Sequence, residues 1–224
     1  MTHRACLWLA SMLVCASAAS VRAQDRTGFE GVLRVGYGIP FGKISASEGN
    51  LHNAIHQQLS LALELGWRVM PKLFMGLSGQ YGFGIHAIRF DALCAISDDS
   101  NCSATDVRVS VEAQYHPMPG QKLDPWIGFG VGYEWFTLSL NDTGAEGSTT
   151  FSGFELAKLQ GGLDVALTPY FRIGPFVSFS LSEFSDISIS CSGPFNGCGA
   201  QQGSIASRSL HEWLLFGVRA ALRP

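Results

Sequence analysis

After its first two dozen residues the chain has no apolar run of 18 residues, which excludes membrane-spanning helices. It also lacks clusters of lysine or arginine, its 15 bases being scattered among 18 acids. Without a basic patch there is no electrostatic footprint for nucleic acid, and that class of partner is excluded. No Pro/Ser-rich linker, charge block or low-complexity run divides the chain, so one domain is expected. Cys-x-x-Cys spacing and cysteine-associated histidines are missing as well, so neither a thiolate metal site nor a cofactor is implied.

The residues present begin with Arg4, an apolar stretch from Ala5 to about Val14, and small residues ending in Val21-Arg22-Ala23. That is the build of a secretory signal peptide, so residues 1–23 are expected to be cut away after Ala23. A membrane helix would need a longer apolar core. A lipoprotein would acylate Cys15, where Val14 is bulkier than such a site wants. Cleavage would remove Arg4 and Arg22 and no acid, leaving 13 bases against 18 acids and a net charge of −5. Cys94, Cys102, Cys191 and Cys198 would remain, in two close pairs. In an exported chain such pairs read as local disulfides, Cys94 with Cys102 and Cys191 with Cys198.

From Phe29 onward eight segments alternate with period two, the signature of strands with two unlike faces. The apolar sets run from Phe29, Leu33, Val35, Tyr37 and Ile39, through Leu59 to Val69 and Leu73 to Ile85, to Val107 through Tyr115. They continue with Ile127 through Trp135, Leu159 through Leu167, Phe171 through Leu181, and Leu214 through Leu222. The opposite faces carry glycines, serines and charges: Glu30, Arg34, Glu64, Arg68, Arg108, Glu112, Glu134, Lys158, Asp164, Arg172 and Arg219. That set is too charged for a soluble core. It fits the inside of a barrel whose apolar face meets lipid, so the expected fold is all-β, an eight-stranded antiparallel up-and-down transmembrane β-barrel.

The connections agree. Three are tight, near Met70-Pro71-Lys72, Pro117-Met118-Pro119-Gly120 and Thr168-Pro169. The other four are long, spanning roughly 40–56, 85–106, 141–152 and 182–209, and they contain both cysteine pairs. Strict alternation of short and long links puts the termini and short turns at one end and the long loops at the other. Trp67, Tyr115 and Phe171 near short turns, and Tyr37, Phe83, Tyr133, Trp135 and Phe179 toward long loops, draw two interfacial belts. Gly128, Gly130 and Gly132 mimic a nucleotide-binding fingerprint, but they sit within an alternating strand with no helix following. They read as interior small residues leaving room for Arg, Glu and Lys from adjacent strands.

In strand count, dyad pattern, loop alternation and leader, residues 24–224 resemble the small bacterial outer-membrane barrels of the OmpA/OmpX type. The resemblance implies an outer-membrane location and a lipid environment; a monomer is expected, and because the chain stops after the eighth strand no peptidoglycan-binding domain is expected to follow the barrel. Two features depart from the pattern. The chain ends Leu222-Arg223-Pro224 where such barrels commonly end in an aromatic residue. Pro175 falls inside the seventh strand, where a closed barrel has no free edge to excuse its missing donor, so a bulge is expected there, with Gly174.

For function, the near balance of inward charges suggests a salt-bridged, mostly plugged lumen and a structural or surface-interaction role. A small ion or solute channel is the alternative, because the same charges could line water. A lipid-acting hydrolase is third: Ser209 and His211 share a strand face, with Glu134 available to orient the imidazole. The expected reading is not an enzyme. The long loops could engage an extracellular partner; their acids Asp91, Asp98, Asp99, Asp106, Asp142, Glu146 and Asp186 outnumber Lys43, Arg89 and Arg208. Asp98-Asp99-Ser100-Asn101 lacks calcium-loop spacing.

Overall fold

The computed structural model describes residues 27–44, 50–85, 101–142, 145–192 and 200–223. The expected leader, residues 1–23, lies outside them, as do Cys94, Cys198, Arg89, Asp91, Asp98 and Asp99. The strands are β1 (Gly28–Gly42), β2 (Gln57–Met70), β3 (Leu73–Ile85), β4 (Asn101–Tyr115) and β5 (Leu123–Asp142). They continue as β6 (Ala145–Ala166), β7 (Phe171–Ser192), β8 (Gln201–Ser204) and β9 (Leu210–Leu222), with one helical turn, α1 (Leu51–Ala54).

Each strand from β1 to β7 pairs antiparallel with the next; β7 then pairs with β9, and β9 with β1. Eight strands therefore close on themselves. Closure pairs the backbone around the ring without leaving an edge, the condition for crossing lipid with strands. The short β8 stands outside the ring, paired to the far end of β7 from Asp186 to Ile189.

Period-two alternation sorts the side chains. On β2, Leu59, Leu61, Leu63 and Leu65 point outward, about half exposed, while Gln58, Ser60, Ala62 and Glu64, which alternate with them, are buried. The same outward band includes Leu33, Val35, Leu77, Val109, Val111, Phe129, Val131, Val177, Phe216 and Val218. A continuous apolar exterior of this kind is stable only against hydrocarbon. Trp67 and Tyr115 lie outward beside the short turns, and Phe83 and Trp135 outward toward the long loops.

Three expectations are corrected. First, the links at 141–152 and 182–209 are largely strand: β5 and β6 run on as a hairpin to Asp142↔Ala145, and β7 continues to Ser192. Apolar alternation stops where the lipid stops, but Ser and Thr continue the ladder comfortably. Second, there is no bulge at Pro175. The β6–β7 ladder lapses at Gly174 and Pro175 and resumes in the same register, while Pro175 stays opposite Val218 of β9. A side chain on Gly174 would collide with the Leu163 carbonyl, so glycine allows β6 to lie close despite the proline. Third, the bulges lie elsewhere. While β5 advances from Gly130 to Gly132, β6 steps from Lys158 to Glu155, so these two charges both face inward although three residues apart.

Candidate functional site in the lumen

The strands bring all eleven inward charges named from the sequence into one buried column. Four further charged groups join them: Asp106, Asp124, Glu155 and Arg223. Asp106 is therefore not a loop acid, because β4 already runs through it and aims it inward. Glu155 escaped notice because the bulge inverts the alternation on its strand.

At the end bearing the short turns, Glu30 accepts from Arg68 Nε at 3.0 Å and Nη2 at 2.7 Å, and pairs with Arg223 Nε at 3.0 Å. Arg219 lies 3.5 Å from Glu30 and 3.6 Å from Asp164, and stacks 4.1 Å over the Trp126 ring. Asp124 meets Arg223 at 3.2 Å, Arg172 at 3.5 Å and His116 Nδ1 at 3.0 Å. Burial pushes the His116 imidazole down to about 4, against the opposing pull of its Asp124 hydrogen bond. His116, Asp124 and Asp164 converge closely enough to hold a cation, but the Arg223 guanidinium reaches all three and supplies that charge itself.

In the middle, Arg34 pairs with Glu64, lies 3.5 Å from Glu112 and donates to Gln160 at 2.6 Å. Lys158 meets Glu112 at 3.3 Å and donates to Ser110 at 3.1 Å. Gln114 links the layers, donating to Glu64 at 2.8 Å and accepting from Arg219 at 2.9 Å. Gly128 leaves room for Gln114 and Gln160, Gly130 for Glu112, and Gly132 for Ser110 and Glu155. The side chains nearest these three glycines are Gln, Ser and Glu.

Toward the long loops, Arg108 faces three carboxylates, Asp106 at 2.9 Å, Glu134 at 3.2 Å and Glu155 at 3.6 Å, and donates to Ser180 at 2.8 Å. Glu134 also meets His211 Nε2 at 3.1 Å and accepts from Trp213 Nε1 at 3.2 Å. With Nε2 on Glu134 and Nδ1 making no hydrogen bond among the described residues, His211 does not engage Ser209, which precedes β9. The carboxylate and imidazole of the hydrolase arrangement are together, and the nucleophile is not.

Large inward rings were missed by the sequence reading: Phe74, Trp126, Phe136, Phe176 and Trp213 are all buried. Each occupies an inward position of the alternation, which is the signal that could have found them. Gly66 and Gly76 flank Phe74, where a Cβ on either would strike its ring. Above Trp213, Ile44, Leu51 and Ile55 pack with Phe136, Phe151 and Phe184, and Phe184 stacks on His211 at 4.0 Å between centroids. The link carrying α1 thus lays an apolar cap over the charged column.

A closed eight-stranded ring, an apolar outer band, an inward charge column and alternating short and long links define a transmembrane β-barrel of the bacterial outer-membrane class. Among solved structures the chain is similar to Neisserial surface protein A, at 11% identity and a TM-score of 0.54 over 89% of this chain and 99% of that one. A major outer membrane protein of Thermus thermophilus matches at 14% identity and a TM-score of 0.49, covering 86% of this chain and 98% of that one. OprG of Pseudomonas aeruginosa matches at 13% and 0.48, covering 89% and 98%. At these identities the likeness is one of fold. No family model matches the chain, and no curated protein does.

Proposed function

We propose that the barrel is a non-conducting structural and surface-interaction component of the outer membrane, its lumen closed by paired charges. The supporting observation is the continuity of the filling: Arg34, Arg68, Arg108, Arg172 and Arg219 are each at most 4% exposed, and the apolar cap covers them. Charges so buried are tolerable when paired and hydrogen-bonded, and they leave no water file for an ion. Glu30, Glu64, Glu112, Glu134, Lys158 and Asp164 complete this network. Catalysis is not part of the reading, since the His211 ring makes no hydrogen bond to Ser209.

The reading includes removal of residues 1–23 and a monomer. It also includes disulfides joining Cys94 with Cys102 and Cys191 with Cys198, which stiffen the second and fourth outer links to present a surface. Cys102 and Cys191 are each disulfide-bonded. Planar-bilayer recording of purified protein tests the central claim: silence across a wide voltage range is expected, and discrete conductance steps would replace the reading with the channel.

A further inference from the structure

Beyond outward-facing Tyr133, Trp135 and Phe154, the barrel wall leaves the lipid as a sheet of β4, β5, β6, β7 and β8. Its outward register is an array of hydroxyls. One row across the sheet reads Thr105, Thr137, Thr150, Ser188 and Gln202, and the next reads Ser103, Ser139, Ser148 and Ser190. Thr137 and Thr150 hydroxyls lie 2.9 Å apart, and those of Ser148 and Ser190 2.8 Å apart. A third row, Asn141, Glu146 and Ser192, borders a cavity of about 310 Å³ that Ser139, Ser148 and Ser190 also line. The opposite face is apolar, with Ala104, Leu138 and Ile187 packed against the cap, so the hydroxyl face is held turned away from the barrel axis.

Height decides what stands beside this face. At ~3.4 Å per residue and a tilt of about 40°, Thr137 rises roughly 5 Å above Trp135, Ser139 about 10 Å and Asn141 about 16 Å. An ordinary head-group layer adds only about 5–7 Å per side to the hydrocarbon. The first row lies within that layer; the second and third stand above it, at the level reached only by a lipid with a sugar chain.

We propose that this face docks laterally against the oligosaccharide of the glycolipid surrounding the barrel in the outer leaflet. The proposal rests on the outer-membrane reading and extends its surface role to a defined partner chemistry. The face continues the wall that meets acyl chains below, on the same strands, so the same lipid's head group is its neighbour. Serine and threonine hydroxyls both donate and accept, as sugar hydroxyls do. The three rows contain one acid, Glu146, and no base, which selects neutral sugar over phosphate. The cavity is at the lower end of the size of small-ligand sites, room for a short piece of a chain rather than a long one.

The test compares two glycolipids, one carrying its full oligosaccharide and one truncated to its acylated sugar base. Wild-type protein and the triple variant Ser139→Ala, Ser148→Ala, Ser190→Ala are folded in mixed vesicles and extracted. Retained lipid is counted by native mass spectrometry. Wild type should retain the full glycolipid preferentially, the variant about tenfold less, with truncated lipid equal in both; tenfold is what one or two net hydrogen bonds supply. Hydroxyl-radical footprinting gives a second measurement, and only the full glycolipid should protect residues 137–150 and 186–190 of wild type. Equal retention by both proteins, or protection by the truncated lipid alone, overturns the proposal. So does a wild-type dimer that the triple variant abolishes, since the face would then be a self-association surface. A wild type without a compact, heat-sensitive gel band would instead remove the barrel reading itself.

Discussion

Replacing Arg108 by methionine is the sharpest probe of the lumen, because one guanidinium serves Asp106, Glu134 and Glu155 at 2.9, 3.2 and 3.6 Å. At an effective dielectric of about 20 each contact is worth roughly 5 kcal/mol of attraction, and burying the arginine offsets much of that sum. Removing one partner of a buried ionic group typically costs about 3–5 kcal/mol, because the charges left behind have neither water nor counter-ion. Arg108→Met should therefore lower stability by about 4 kcal/mol, read as a shift in the urea midpoint of protein refolded into vesicles at unchanged slope. The reasoning also specifies a rescue. Adding Asp106→Asn, Glu134→Gln and Glu155→Gln removes the stranded charges while keeping their shapes, and should recover at least half the loss. A single variant within about 1 kcal/mol of wild type, or a quadruple variant no better than the single, would refute the picture of a lumen closed by charge pairing.

Further outcomes follow from other parts of the barrel. The His116 imidazole titrates near 4 when folded and 6.5 when not, so between those values the unfolded chain alone binds the proton. Stability should be complete above pH 6.5 and decline toward pH 4; His116→Gln should remove about 3 kcal/mol of that decline, seen by comparing urea midpoints at pH 7 and 4. Gly66→Ala should cost about 1–3 kcal/mol, and Phe74→Leu should restore only part of it, since the Met75 carbonyl as well as the ring blocks a Cβ there. Peptide mapping without reductant should recover Cys94 joined to Cys102 and Cys191 joined to Cys198; any crossed pair rejects the proposed connectivity. Leu51→Asp with Ile55→Asp should expose residues 50–56 to protease while leaving the heat-dependent gel shift of the barrel intact.

The parts legible in the sequence are those on which lipid imposes a rule. Hydrocarbon accepts only apolar side chains, so the outward positions of β2, from Leu59 to Val69, announce both strand and face. Inside, the rule is weaker. The lumen takes any side chain that fills space and finds a partner, which is why Trp126 and Trp213 sit beside Arg219 and Arg108: the alternation marks their positions as inward but does not say whether a ring or a charge stands there. Above the lipid the rule lapses altogether, so residues 146–152 look like loop although their backbone is still paired on both sides. Glu155 illustrates a different failure. One extra residue in a strand inverts every later assignment of side, and nothing in the composition around Leu156 marks where it falls.

The pairing of β1 with β9 joins the two ends of the strand sequence, and Glu30 of the first strand holds Arg219 and Arg223 from the last. Every other ladder of the ring links strands that follow one another around it in chain order and could form by successive hairpins. This one cannot exist until the whole circumference has been laid down. The clasp at Glu30 therefore acts as a signature of completion: until the ring closes, Glu30 at one edge keeps only Arg68, and Arg219 and Arg223 at the other lack their contact with it, so both edges stay open to water and exchange.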